Sequence, residues 1–217
     1  MKYFFQAISY VLHPLLMPML GFFILFEAQT IPNSLLQLDA LYFFPASAKQ
    51  ALYLVMLILT VLAPGLSLLI MYWNKMISDL NLSKREERFY PYVLIIFYYA
   101  LAFGYLKLQL PEPFQHPALM GFVFGIILVF LVSFFLNFYV KVSMHAAGIF
   151  GVCGTILAYN QSQIDSNIAF LLYLICLGGL VGASRIYLEA HTLKETIVGM
   201  AVGFFVLFLS VKFGLYI

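Results

Sequence analysis

The sequence predicts an all-α membrane protein, a polytopic bundle of six or seven transmembrane helices. Of its 217 residues, 64% are hydrophobic and 9% are charged, whereas a soluble domain is about 45–50% apolar and about 25% charged. The mean hydropathy is +1.00. Apolar runs of membrane-crossing length recur along the chain, since a helix needs about 20 such residues to cross a bilayer.

Seven apolar segments support this number of spans. They are long and continuous rather than alternating, which favours helices over a barrel, and lipid permits no other spanning structure. In chain order they cover residues 4–28, 50–73, 91–110, 118–140, 145–160, 168–184 and 196–217. We expect a single integral-membrane domain over residues 1–217, with the first segment retained rather than cleaved as a signal.

Two of these segments are unusual. His13 and Pro14 interrupt the first, which gives seven spans if it crosses the bilayer and six if it is re-entrant. We interpret His13 as an interfacial or buried residue rather than part of a site. The fifth segment is short and rich in alanine and glycine, and small residues let helices approach closely. We therefore expect it to lie inside the bundle.

Three polar stretches are predicted to meet at one membrane face. They cover residues 74–90, 141–145 and 184–195, and two spans separate each from the next. Ionisable clusters in such a greasy chain are costly, so they point to function. The net charge of +2 does not suggest a nucleic-acid partner.

The third polar stretch carries a nucleophile-like arrangement. Arg185 and His191 are six residues apart, and Glu195 follows four residues later. If a helix begins near His191, then His191 and Glu195 share one face. A carboxylate can fix the tautomer of the imidazole, and a guanidinium fork fits phosphate oxygens. The alternative is that Arg185 snorkels and Glu195 pairs with a neighbouring cation.

The second polar stretch places Ser143 and His145 at the entrance to the fifth segment. A hydroxyl and free N–H groups at a helix start can hold an anion. The adjacent histidine can protonate a leaving oxygen. The alternative is a capping serine beside a satisfied interfacial histidine.

The first polar stretch contains Lys84, Arg85 and Arg88, followed by Pro91. Arg85 and Arg88 are three residues apart and would share one face of a helical turn, as a cationic clamp. The alternative is a solvated loop whose positive charges lie at the lipid headgroups.

Taken together, these motifs resemble the type 2 phosphatidic acid phosphatase (PAP2) superfamily. The pattern Ser-Arg-x5-His-x3-acid from Ser184 to Glu195 follows an earlier Ser-x-His and a basic stretch ending in proline, in the family's order, within residues 81–203. The family comprises integral-membrane lipid phosphatases. The resemblance implies hydrolysis through a phosphohistidine, with no metal and no cofactor.

The resemblance also implies a role for each motif residue. His191 would be the nucleophile, Glu195 its orienting carboxylate and His145 the general acid. The phosphate oxygens would be held by Arg185, Ser143, Arg88, Arg85 and Lys84.

The motifs depart from the family pattern at several positions. Glu195 replaces the usual aspartate, and Val142 and Met144 replace a proline and a glycine. Counting back from the proline of the first motif places Tyr90 and Ser83 where the family has arginine and lysine. The cations of this stretch must therefore act in another register, with Arg88 ranked first.

The implied substrate is a membrane lipid with a phosphomonoester or pyrophosphate headgroup, of the phosphatidic acid, phosphatidylglycerol phosphate or prenyl pyrophosphate type. The implied surroundings are the lipid bilayer of a bacterial cytoplasmic membrane, and homo-oligomerisation stays open. Two other hypotheses are kept. One is a non-catalytic lipid-phosphate carrier with a degenerate site, and the other is a haem or metal protein with His145 and His191 as ligands.

Overall fold

The computed structural model describes residues 1–33, 40–166 and 168–214, and these are predominantly helical. Within these ranges there are nine α-helices: α1 Lys2–Val11, α2 Met17–Glu27, α3 Ala46–Leu57, α4 Ala63–Trp73, α5 Phe89–Leu108, α6 Pro117–Leu136, α7 Met144–Asn160, α8 Ile168–Tyr187 and α9 Leu193–Gly214. Short 3₁₀ turns at Pro14–Leu16, Leu41–Phe43, Glu86–Arg88 and Glu112–Phe114 and a π turn at Ile58–Leu62 connect or interrupt them.

Six helical stretches in the described part of the chain are long and apolar enough to cross a membrane. They are Lys2–Glu27, Ala46–Trp73, Glu86–Leu108, Pro117–Leu136, Ile168–Tyr187 and Leu193–Gly214. The helix α7 has 17 residues, a length of about 25 Å at about 1.5 Å per residue. The prediction of an all-helical bundle with six or seven spans is therefore confirmed, and the seventh segment is the short α7. The end of the last predicted span, residues 215–217, lies outside the described residues.

Most of α7 is buried at the centre of the bundle, as its small residues predicted. It packs along α9, where Gly203 lies against the Ala147 carbonyl and Gly199 against the backbone of Ser143. Gly154 in turn lies against the backbone of Phe204, so a side chain at any of the three glycines would collide with main chain. Because these residues are small, the backbones of α7 and α9 can come into direct contact.

The far end of α7 is tied by polar contacts in the connections. Thr30–Pro32 and Gln163–Ser166 form a two-stranded antiparallel ladder, β1 and β2, which the sequence did not predict. Beside this ladder, the backbone N–H of Leu41 donates to the hydroxyl of Tyr159 at 2.9 Å. These contacts fix the end of the bundle opposite the polar stretches.

The N-terminal helix α1 packs against α8. The hydroxyls of Ser9 and Ser184 lie 3.2 Å apart, and the rings of Phe5 and Tyr187 are in contact with centroids 4.5 Å apart. The chain leaves the α-helical path at Leu12 and resumes it at Met17, because Pro14 and Pro18 have no N–H to donate. This break brings the N-terminal segment beside the carboxyl end of α8.

Candidate active site

The turn between α8 and α9 holds Arg185 and His191 together. After Tyr187, the backbone at Glu189 takes a left-handed conformation with φ of 55°, a common way for a helix to end. The N–H groups of Ala190 and His191 then donate to the carbonyl of Arg185 at 3.0 and 3.2 Å. The chain folds back on the last turn of α8, so His191 stays near Arg185 instead of continuing away along a helix axis.

Glu195 has two partners at the start of α9. Its Oε2 accepts from the backbone N–H of Thr192 at 3.1 Å, while the Thr192 hydroxyl accepts from the Glu195 N–H at 3.2 Å. This reciprocal pair is a capping box, formed by Thr-x-x-Glu. The same Oε2 lies 3.1 Å from Nδ1 of His191. The carboxylate accepts the Nδ1 hydrogen, which leaves the lone pair on Nε2.

Glutamate rather than aspartate suits this double contact. The capping box needs a side chain that reaches back from the third helical position, a role that glutamate and glutamine fill. The departure of Glu195 from the family pattern is therefore accompanied by a cap that the longer side chain completes. The sequence predicted the contact with His191 and did not predict the cap.

Arg185 is a buried cation that no carboxylate of the described residues neutralises. Arg185 is 5% exposed, and its Nε has no hydrogen-bond partner among the described residues. Among the described residues it forms no ion pair with a carboxylate. Burying an uncompensated charge is costly, so the site favours an anionic ligand at this guanidinium.

Arg88 joins the first polar stretch to the second. It is 4% exposed, its Nε donates to the Leu82 carbonyl at 2.9 Å, and one terminal nitrogen donates to the Val142 carbonyl at 3.0 Å. The left-handed backbone of Leu82, with φ of 52°, turns its carbonyl into this position. These bonds fix the guanidinium in orientation beside the cavity that it lines.

The start of α7 contributes Ser143 and His145. The hydroxyl of Ser143 is buried and unpartnered, and the first N–H groups of a helix have no intrahelical acceptor. Nε2 of His145 lies 3.2 Å from the Ser9 carbonyl. A carbonyl only accepts, so Nε2 carries the hydrogen and Nδ1 is the atom left to exchange a proton.

One cavity of about 70 Å³ lies between arginine and histidine side chains of these stretches, whereas Ser143 and Glu195 are not among its lining residues. A water needs only about 10–15 Å³ by this measure, so the cavity has room for a tetrahedral oxyanion. The charged side chains and imidazole rings that line it belong to His13, Arg88, His145, Arg185 and His191. The three polar stretches therefore converge on one space, as the counting of spans predicted.

The remaining walls of this cavity are largely apolar. Leu15, Leu68, Ile95, Phe130 and Met144 contribute to them. A pocket that combines cationic groups with apolar walls suits a ligand with an anionic head and a hydrocarbon chain. Met144, which stands where the family pattern has glycine, is one of the wall residues rather than a point of backbone approach.

Burial and positive charge keep His191 neutral. Burial is the main cause that lowers its pKa to about 3, and the charges of Arg88, Lys141 and Arg185 lower it further. Burial and the charge of Arg88 also lower the pKa of Lys141, whose Nζ donates to the Ala190 carbonyl at 3.1 Å. A hydrogen bond to the backbone of Lys141 raises the pKa of His191 in part, and the lowering causes outweigh it. At neutral pH the imidazole of His191 is therefore an unprotonated base.

Lys84 and Arg85 do not reach this cavity. Both side chains are exposed, and Lys84 pairs with Glu87 at 3.2 Å one helical turn away. Among the three cations predicted in the first stretch, only Arg88 lies in the cavity. Sequence spacing could not separate them, because the turn at Leu82 decides which side chain faces inwards.

His13 lines the cavity although the sequence did not assign it to a site. Its ring packs edge to face on His145, with centroids 5.3 Å apart and planes at 80°. The signal in the sequence was the helix-breaking Pro14 that follows it. No sequence motif linked His13 to His145, which lies more than a hundred positions later in the chain.

The arrangement as a whole suits an anion more than a metal ion. The charged groups that line its cavity are the guanidinium ions of Arg88 and Arg185, and the one carboxylate in contact with His191, that of Glu195, is not among the lining residues. Over residues 1–33, 40–166 and 168–214, no group of three or more His, Cys, Asp or Glu side chains is placed to hold a metal ion.

Comparison with known proteins gives one match. A family model described as the PAP2 superfamily matches residues 94–216. No curated protein and no solved structure matches the chain. The matched region contains Ser143, His145, Arg185, His191 and Glu195, whereas Arg88 and the N-terminal segment precede it.

Proposed function

This chain belongs to the PAP2 superfamily, and from that membership and the site geometry we propose that it is a membrane phosphatase acting on lipid phosphates through a phosphohistidine. Membership supports a function of phosphatase type. The finer proposal concerns the substrate and the roles of the residues. The substrate is a lipid phosphomonoester or pyrophosphate in the bilayer of a bacterial cytoplasmic membrane.

One observation carries this proposal. A neutral imidazole, His191, shares a cavity with two buried guanidinium groups, Arg185 and Arg88, and neither guanidinium pairs with a carboxylate among the described residues. Phosphoryl transfer needs little from a protein beyond positioning and charge stabilisation. A nucleophile beside two guanidinium groups that carry their positive charge into the cavity provides both.

In the first step, Nε2 of His191 attacks phosphorus and the bond from phosphorus to the lipid oxygen breaks. The leaving oxygen takes a proton from Nδ1 of His145, which carries that proton once the anionic substrate is bound beside it. Glu195 holds the Nδ1 hydrogen of His191 and stabilises the positive charge that develops on its ring. Arg185, Arg88, Ser143 and the N–H groups at the start of α7 bind the phosphoryl oxygens.

In the second step, water replaces the lipid alcohol. Nδ1 of His145, now unprotonated, takes a proton from water as the water oxygen attacks phosphorus. The bond from phosphorus to Nε2 of His191 breaks, which regenerates the free imidazole. Inorganic phosphate leaves, and His145 again carries the proton needed for the next cycle.

The apolar walls of the cavity explain why a lipid is the proposed substrate. Leu15, Leu68, Ile95 and Phe130 belong to the N-terminal segment, α4, α5 and α6 and lie beside the cationic groups. An acyl or prenyl chain between these helices would keep hydrocarbon out of water while its head reaches Arg185. Binding energy from the tail can thereby position the phosphate.

The test is phosphate release from phosphatidic acid, phosphatidylglycerol phosphate and prenyl pyrophosphate in detergent micelles, with and without EDTA. We expect release from at least one lipid, resistance to EDTA and inhibition by vanadate. With ³²P-labelled substrate, the phosphohistidine should be trapped as a labelled protein. His191→Ala should abolish both this labelling and phosphate release. Full turnover by this variant would falsify the assignment of the nucleophile.

The same assay distinguishes the alternative of a lipid-phosphate carrier. A carrier would bind the labelled lipids and vanadate but release no phosphate. Release that EDTA abolishes would instead favour metal-dependent chemistry and overturn the proposed mechanism.

A further inference from the structure

The break in the first membrane segment fixes the tautomer of His13. His13 is the N-cap of the short 3₁₀ helix Pro14–Leu16, and its Nδ1 accepts the backbone N–H of Leu15 at 3.3 Å. An accepting Nδ1 carries no hydrogen, so the neutral ring has its hydrogen on Nε2. Nε2 has no hydrogen-bond partner among the described residues and belongs to a ring that lines the cavity.

The N-terminal segment also holds other parts of the site. The Ser9 carbonyl lies 3.2 Å from Nε2 of His145, and the Ser9 hydroxyl lies 3.2 Å from that of Ser184, the neighbour of Arg185. His13 follows Ser9 by four residues and packs its ring on His145. The segment therefore forms a wall of the cavity, although it lies outside the region matched by the family model.

We propose that His13 is a further catalytic residue, which donates its Nε2 hydrogen to a phosphoryl oxygen of the bound substrate. The inference rests on the proposed phosphatase function. It involves a hydrogen bond only, so His13 gains and loses no proton during turnover. Negative charge on the equatorial oxygens persists through the transition state, and a fixed neutral donor stabilises it there.

The alternative role for His13 is to cap the 3₁₀ turn and nothing more. The two roles use different ring atoms, and this makes them separable. His13→Asn keeps a short side-chain oxygen that can accept the Leu15 N–H, since asparagine is a favoured N-cap. His13→Gln instead reaches further and places an amide N–H near the position of Nε2.

The chain also contains a matched control for the cap. His116 precedes Pro117 and its Nδ1 accepts the Ala118 N–H at 3.1 Å, which repeats the His-Pro cap at the start of α6. His116 is not among the residues that line the cavity. His116→Asn therefore makes the same exchange at the same kind of cap without touching the site.

The experiment measures phosphate release, vanadate binding and thermal stability for the three variants in detergent. We expect His13→Asn to lower kcat by about 100-fold, the loss typical of one oxyanion donor, and to weaken vanadate binding. His13→Gln should recover a large part of both, and His116→Asn should leave both unchanged. The melting temperatures of His13→Asn and His116→Asn should change to a similar extent.

Two results would overturn the inference. One is a His13→Asn variant with the turnover and vanadate affinity of the unmodified protein. The other is an equal loss in His13→Asn and His13→Gln, which would assign the effect to ring packing. If the unmodified protein binds vanadate but releases no phosphate, the proposed function fails, while the vanadate affinities of the variants still decide the role of His13.

Discussion

The capping box at the start of α9 allows stability and catalysis to be separated at one carboxylate. Glu195 accepts from the Thr192 backbone and from His191 with the same oxygen. Thr192→Ala removes the hydroxyl that accepts the Glu195 N–H, together with one methyl group, and leaves the carboxylate in place. Glu195→Gln keeps the shape of the side chain and removes its charge.

Both substitutions should cost similar stability. For Thr192→Ala, loss of an N-cap hydroxyl lowers the free energy of unfolding by about 1 kcal/mol. For Glu195→Gln, a hydrogen bond to a charged group stabilises the fold by about 1 kcal/mol more than one to a neutral group. For a chain of this size, each change lowers the melting temperature by about 2–4 °C. Their effects on turnover should differ, because only Glu195→Gln changes the group that orients His191.

We expect Glu195→Gln to lower kcat by about 10³-fold or more, since replacing the orienting carboxylate of a Ser-His-Asp triad by its amide costs about 10⁴-fold. Thr192→Ala should keep a turnover close to that of the unmodified protein. Thermal melts and phosphate release in the same detergent measure both quantities. Equal losses of turnover in the two variants would refute the reasoning, because they would show that the cap, and not the carboxylate charge, supports His191.

Three further predictions concern pH, helix packing and the cations. The pKa of His191 is lowered to about 3, below the value of about 6.5 for a free histidine. The unfolded chain thus binds more protons in acid, and stability should fall below about pH 6.5 while the nucleophile stays neutral to near pH 3. Arg88→Gln should move the acid limb of the pH–rate profile to higher pH, and an unmoved limb would contradict this. Gly203→Ala places a Cβ against the backbone of α7 and should cost about 1–3 kcal/mol. Gly104→Ala, where the added carbon meets nothing within 4 Å, should be neutral or stabilising in the same melts. Arg88→Gln should weaken vanadate inhibition by about tenfold or more, and a larger effect of Lys84→Gln would exclude the assigned register.

The bundle was predictable because hydropathy fixes it directly. Lipid leaves helices as the only structure for long continuous apolar runs, and the glycines and alanines of the fifth segment indicated a buried helix. The short ladder of Thr30–Pro32 with Gln163–Ser166 was not predictable. It joins two connections that contain proline or polar residues and that carry no alternating strand pattern.

Within the site, local spacing was informative and long-range position was not. The four-residue separation of His191 and Glu195 predicted their contact, which a helix start enforces. The choice of Arg88 over Lys84 depends on the left-handed turn at Leu82, and leucine gives no sign of such a turn. The place of His13 depends on how a broken helix packs against α7 and α8, which no local pattern encodes.

The contact between α1 and α8 has a consequence for how the protein is made. The helix α1 leads into His13, Pro14 and Leu15, which line the cavity together with His191 from the turn between α8 and α9. A nascent chain therefore cannot assemble this cavity until α8 and the turn after it have been synthesised and have packed beside the N-terminal segment. Before that point Arg88 and Arg185 lie on segments that have not yet packed together, so the cationic cavity forms late in membrane insertion.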